Sequence, residues 1–417
     1  MELTIKNIGK IDSAKVEISG LTVITGYNST GKSTLCRSLY SIMDTYSDIN
    51  KKILNQRRNS IISAIYNWED NLLEEGIDEI FCDKLIDDII HYIFNSKNLP
   101  VDNAIYKKVN DLGNELGVEI SDKTIESLLE KYREIFEKDK EEYLQFIISR
   151  NMKNIFKNQM EHVNHRDRQA SIELKDERKF WSIVFKGNDL LKYNCKYNTL
   201  KKPIYIEPQS ILDNYDISIP RNAYVRRKSD SIQEFLAFDE VHEDKLTLEE
   251  YQEHEENVKV INQILQDVTN GHLIADQSHN LSYLENGLNE SIACSNIASG
   301  LKPFLIIQRM IKNGALGPGR VLIIDEPEVN LHPEWQLVFA KVLVLLNLKL
   351  GIKVVLSTHS PYFLRAIEHY MSEFENSLNS KYYLTVEAEN QLYTLEDVTN
   401  NRERIYKTLY KPLEEIN

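Results

Sequence analysis

An eight-residue run, Gly26-Tyr27-Asn28-Ser29-Thr30-Gly31-Lys32-Ser33, carries the spacing G-x-x-x-x-G-K-S. Glycines at the two fixed positions let the main chain curl so that successive N–H groups point at phosphate oxygens. In this pattern Lys32 neutralises β- and γ-phosphate charge and the Ser33 hydroxyl ligates Mg²⁺. Gly26, Asn28, Ser29, Thr30, Gly31 and Thr34 complete the cradle. A Gly/Ser/Thr-rich turn ahead of a helix is the plain alternative. The context favours the phosphate loop, because the apolar run Leu21–Ile24 precedes it and a helical pattern (Leu35, Leu39, Ile42) follows.

Three other stretches carry matching chemistry. In Val321-Leu322-Ile323-Ile324-Asp325-Glu326, four apolar residues end in two carboxylates. That is the pattern of a buried strand delivering acids at its C-terminal end, where open α/β sheets bind ligands. Asp325 would support Mg²⁺, and Glu326 would orient or deprotonate an attacking water. Ala298-Ser299-Gly300-Leu301-Lys302 precedes an apolar helix. Alone it is an N-cap; beside a nucleotide site, Ser299 and Gly300 suit an anion through hydroxyl, amide and helix dipole. Lys353–Ser357 is another buried-strand pattern, followed by Thr358-His359-Ser360. His359 is either a satisfied core histidine or, at the edge of a parallel sheet, a group placed to contact a γ-phosphate.

These residues need a sheet to hold them, and the chain has the length for one. Its 417 residues, 42% apolar and 27% charged, suit a large globular core. With 64 acidic against 50 basic residues, the net charge of −14 argues against a surface coated for non-specific DNA binding, though a local basic stripe stays open. Cys36, Cys82, Cys195 and Cys294 form no CxxC pair, which suggests thiols in a reducing cytoplasm. The N-terminal residues lack a signal-peptide pattern, and the apolar stretch Leu337–Leu348 is too short to span a membrane. A cytoplasmic protein is expected.

The pattern predicts an α/β fold: a P-loop ATPase head with a mixed sheet and helical insertions. Strand periodicity occupies residues 1–25, 170–174, 181–185, 203–206, 272–275 and 281–284. The head therefore takes residues 1–44, 170–210 and 271–417, interrupted by helical insertions at 45–169 and 211–270. Helical spacing is clearest at Ile125, Leu128, Leu129, Tyr132, Ile135 and Phe136, with no sustained heptad seam. The basic segment 151–168 holds Lys153, Lys157, Arg166 and Arg168, with His162 and His165 three apart. A solvated helix face is its plain reading, a nucleic-acid backbone contact the sharper one, and the His pair lacks the ligand framework of a metal site. The second insertion carries Arg221, Arg226, Arg227 and Lys228, then nine acidic residues and one Lys between Asp239 and Glu256, the composition of a solvated face or loop.

In order, GYNSTGKST, ASGLK, IIDEPEVNLHPEWQ and VVLSTHSPYFL resemble the ABC/SMC-type ATPase heads of the RecF and OLD (overcoming-lysogenisation-defect) group. The DEPE-x-x-LHP form is most similar to OLD-type AAA-family ATPases of bacterial anti-phage systems. The resemblance covers roughly residues 1–44, 170–210 and 280–370. It implies a homodimer, or a higher assembly, of heads packed head-to-tail around two ATP molecules with Mg²⁺. Each nucleotide would sit on one phosphate loop and be capped in trans by the Ser299–Gly300 segment of the other head. It further implies that Ser33, Asp325 and Gln209 serve Mg²⁺, that Glu326 polarises water, and that His359 senses the γ-phosphate. ASGLK departs from the LSGGQ of transporter ATPases, so a transporter subunit is not expected. OLD nucleases carry a Toprim domain after the ATPase; the 58 residues after His359 are too few for one. A nuclease or toxin effector would then be a separate chain, in a defence setting that rests on family analogy. The alternatives are a RecF-like repair ATPase clamping duplex DNA and an ATP-gated scaffold that hardly turns over.

Overall fold

The computed structural model describes residues 1–96, 98–165, 167–196, 200–207, 212, 235–236, 248–276, 280–374 and 379–414. Gln209, Arg166, the basic cluster at 221–228 and the first part of the acidic run lie outside the described residues. The chain divides into two compact units: Asp48–Arg150, and Met1–Ser47 together with the described residues from Asn151 onward.

Among the described residues, the larger unit is built on an eleven-stranded mixed sheet. Its strands are β1 (Glu2–Ile8), β2 (Ile11–Glu17), β3 (Leu21–Thr25), β4 (Ala170–Asp176), β5 (Lys179–Lys186), β6 (Asp189–Cys195) and β7 (Ile204–Ile206). The later strands are β11 (Val321–Asp325), β12 (Lys353–Thr358), β13 (Ser380–Glu387) and β14 (Tyr393–Asp397). They run in the order β6-β5-β4-β1-β2-β14-β13-β3-β12-β11-β7. From β13 to β7 every pairing is parallel, whereas β6 to β2 are antiparallel.

Burial explains the two halves. All five residues of β3 and of β11 are buried, as expected of parallel strands covered on both faces. In β1, β2 and β4 burial alternates along the strand, so one face is covered and the other is wetter. The parallel half is covered by α7 (Leu248–Thr269), α8 (Lys302–Lys312), α9 (Pro333–Leu350) and α10 (Pro361–Glu373). Ile261, Leu265, Phe304, Phe339, Leu343 and Phe363 join the strands in one core. Each such side chain contributes about 1.5–3 kcal/mol by leaving water. A small sheet of β8 (Gly271–Ala275), β9 (Leu281–Glu285) and β10 (Ile292–Ala293) precedes α8.

Two elements extend what the pattern predicts. Strand β6 has no counterpart in the sequence reading, because Asp189–Cys195 is half-exposed along its length and does not alternate. The later part of the acidic run lies on a helix from Leu248 to Thr269, with Glu253, Glu255 and Glu256 exposed, so there it is a solvated face and not a loop.

The smaller unit packs α2 (Ile49–Glu74), α3 (Glu79–Asn95), α4 (Asp102–Leu116) and α5 (Asp122–Glu137) around an apolar centre. The Trp68 indole N–H donates to the Thr124 carbonyl at 2.8 Å, tying α2 to the start of α5. The chain leaves the larger unit after α1 (Lys32–Tyr46) and returns within α6 (Lys140–Ile155). There the Asn151 amide donates to Asp44 Oδ2 at 2.8 Å and to Thr45 Oγ1 at 3.1 Å. The last helix is α11 (Glu403–Glu414). No described helix is long and apolar enough to cross a membrane.

Candidate active site

The phosphate-loop residues join β3 to α1 as the spacing predicts. The loop curls because Gly26 (φ 142°), Ser29 (φ 62°) and Gly31 (φ 96°) all take positive φ. Both glycines are also required by packing. A Cβ on Gly26 would lie 1.8 Å from Thr385 Oγ1, and one on Gly31 would lie 2.4 Å from Ile11 Cδ1.

Lys32, at the first turn of α1, is buried, and its ammonium donates to the Gly26 carbonyl at 3.1 Å and the Tyr27 carbonyl at 2.8 Å. Among the described residues no carboxylate lies within ion-pair distance of it. Burial pushes its pKa down against the opposing pull of Glu326, Asp325 and Glu328. A buried ammonium held on neutral carbonyls suits an anionic ligand. Thr30 has a different role: its hydroxyl donates to the Tyr27 carbonyl at 2.8 Å and shares a 2.7 Å hydrogen bond with Thr385. Asn28 is exposed at the loop tip.

The two carboxylates at the end of β11 are handled differently. Asp325 is buried, with Ser357 Oγ donating to one carboxylate oxygen and Tyr205 Oη 3.3 Å from the other. Tyr205 also donates to Glu207 at 3.1 Å, and Glu207 pairs with Arg37 of α1 at 2.9 Å. Ser33 and Asp325 each offer oxygen, the donor atom that Mg²⁺ prefers. Glu326 leaves the strand at φ 54°, a left-handed conformation costing about 1–3 kcal/mol for a non-glycine residue. Its N–H donates to the Ser357 carbonyl at 3.1 Å, which holds the turn. Glu326 Oε1 lies 3.3 Å from Nδ1 of His359 at the end of β12, so these two sequence candidates meet.

Glu328 was quoted in the sequence motif without a role. It is buried, and its Oε1 accepts from Thr358 Oγ1 at 2.7 Å and from the His359 N–H at 3.1 Å. His359 Nδ1 is 3.5 Å away from the same oxygen. Burial pushes the Glu328 carboxyl up. It fixes the turn that carries His359, and the only sequence signal for it was its place two residues beyond Glu326.

A cavity of about 410 Å³, the size of a small-molecule site, opens over this loop. Ser29, Gly31, Lys32, Ser33, Thr34 and Glu326 line one part, and Gly9, Lys10, Gln159, Glu161 and His162 line the rest. Ser299 and Gly300 are not among its lining residues. Ser299 is exposed in a single 3₁₀ turn before α8, and Gly300 is buried. A Cβ on Gly300 would lie 2.7 Å from the Asn330 carbonyl, so glycine there serves packing within the chain.

Residues 1–364 match the family model described as the AAA ATPase domain. The chain belongs to that family. Two solved structures align over nearly the whole of this AAA ATPase domain chain. The "SMC head domain from Thermotoga maritima" is 9% identical, with 95% of this chain and 98% of that one covered at a TM-score of 0.36. An SmcHead bound to the C-winged helix domain of ScpA is also 9% identical, with 97% and 98% covered at a TM-score of 0.43. No curated protein matches. The family range contains Lys32, Ser33, Asp325, Glu326 and His359 and ends before β13 and α11.

Proposed function

We propose that this AAA ATPase domain binds and hydrolyses ATP as a head-to-tail pair, and that its closing and reopening control a separately encoded effector, a nuclease or toxin, in bacterial anti-phage defence. The observation carrying the catalytic part is the approach of His359 to Glu326, which lines the same cavity as the buried Lys32. Lys32 and the N–H groups of the loop and first turn of α1 neutralise and orient the polyphosphate. Ser33 and Asp325 would hold Mg²⁺, which would supply charge stabilisation for the phosphate oxygens. Glu326, held in its left-handed turn, orients the attacking water and accepts its proton. His359, steadied by Glu328, contacts the terminal phosphate. Exposed Ser299 completes the site of a second copy, a reading supported by its separation from the cavity of its own chain. The defence setting and the effector rest on the similarity of the four motifs to OLD-type ATPases.

The test is native mass spectrometry on Glu326→Gln, purified from its own host with ATP and Mg²⁺. The expected species is a dimer or higher assembly retaining ATP and a second polypeptide. A bare dimer retaining nucleic acid would replace effector control by a DNA clamp, and a monomer would remove the trans role of Ser299. In steady-state assays the same variant should lose about 10²-fold or more in turnover while still binding ATP.

A further inference from the structure

The motif residues read only phosphates and metal, so nothing assigned so far distinguishes a nucleotide from any other polyphosphate. We infer that Gln159 and His162 form the subsite for the nucleoside end of the nucleotide, with the His162 ring stacked on the base. This rests on the ATP-binding reading above and extends it to the part of the ligand that the motifs leave unread.

The cavity over Lys32 and Ser33 continues past Thr34 to the β1–β2 turn and on to Gln159 and His162. The turn stands directly against the start of α1, since a Cβ on Gly9 would lie 3.2 Å from the Thr34 side chain. A triphosphate anchored at Lys32 and Ser33 therefore projects its sugar and base into this arm. The arm is a built wall. Gly9 donates its N–H to the Met160 carbonyl at 2.8 Å, and Met160 and Glu161, which lie between Gln159 and His162, are both buried. Asn7 of β1 reaches the His165 carbonyl at 3.4 Å.

The chemistry of the wall suits a nucleoside. His162 Nδ1 accepts from the Asn164 N–H at 3.2 Å, so the neutral ring carries its proton on Nε2. Burial first, then the neighbouring His165 and Lys10, push its pKa down, which favours that neutral form. The ring packs against His165 with centroids 5.2 Å apart, and its partly exposed remainder offers a flat, neutral surface for a base to stack on. The exposed Gln159 amide can donate and accept, which matches ribose hydroxyls and base edges alike.

The test compares two ligands by isothermal titration calorimetry on the full chain: ATP with Mg²⁺ and inorganic tripolyphosphate with Mg²⁺. His162→Ala should weaken ATP binding by about ten-fold, in the range of one lost base stack, and leave tripolyphosphate unchanged. His162→Phe should restore most of the ATP affinity, and Gln159→Ala should cost a smaller factor for ATP alone. Wild-type affinity for ATP in His162→Ala, or equal loss for both ligands, overturns the subsite. If wild-type protein binds neither ligand, the nucleotide reading itself fails, and the two failures are distinct.

Discussion

Glu326 and Glu328 are two residues apart and face opposite physical demands. Glu326 is partly exposed beside the cavity, where an ionised carboxylate is useful. Glu328 is almost fully buried, and its carboxyl is pushed above the ordinary value of 4.5. A carboxyl of that kind holds more protons in the folded than in the unfolded chain. Its contribution to stability is thus fully present below about 4.5 and lost as pH rises through the folded value. Glu328→Gln keeps one acceptor for Thr358 and the His359 N–H and cannot ionise. Its melting temperature should gain on wild type as pH climbs from about 4 to about 8, the excess growing across that window. A constant difference would show that Glu328 is not protonated preferentially in the fold. Lys32 makes the complementary case. Lys32→Ala should abolish the rise in melting temperature that ATP and Mg²⁺ give wild type, because that rise is linkage to binding. A retained rise would overturn the phosphate-loop assignment.

The loop that bears Lys32 is shaped by elements far from it in sequence. Thr385 of β13 packs against Gly26 and hydrogen-bonds Thr30, while Tyr27 donates its phenol to the Thr408 carbonyl in α11. Thr385→Val should keep the fold and lower ATP affinity about five-fold, the worth of roughly 1 kcal/mol for one lost hydrogen bond in the clamp. Unchanged affinity by calorimetry would mean the loop holds its curl unaided. These partners also mark where sequence reasoning runs out. Lys32, Ser33, Asp325 and Glu326 are legible because each sits in a short run whose spacing has one geometric use. Thr385 and Tyr205 are not, because a threonine in an ordinary strand pattern and a tyrosine in a three-residue strand say nothing of what lies across the sheet. Likewise β3, β11 and β12 announce themselves by continuous apolar runs. Edge strand β6 offers no such pattern, and acidic α7 is masked by charge on its solvated side.

At the scale of the molecule, the helical unit is a self-contained insertion. Its apolar centre is its own, and the chain leaves and re-joins the larger unit where Asn151 holds Asp44 and Thr45. Replacing residues 48–150 by a short Gly/Ser linker should leave the ATP-dependent rise in melting temperature intact. Its disappearance would show that the helical unit supports the nucleotide site. The sheet order has a different consequence, one for the ribosome. β3, which launches the phosphate loop, lies between β12 and β13, and the loop is clamped from Thr385 and Thr408. A nascent chain that has exposed residues 1–46 thus holds every loop residue but neither Thr385 nor Thr408, which clamp the loop. During translation β3 must wait, unpaired on both sides, until more than three hundred further residues have emerged. Such delayed pairing is slow to form and vulnerable while it waits. It also means that a prematurely terminated copy carries the ATP motif without the means to use it.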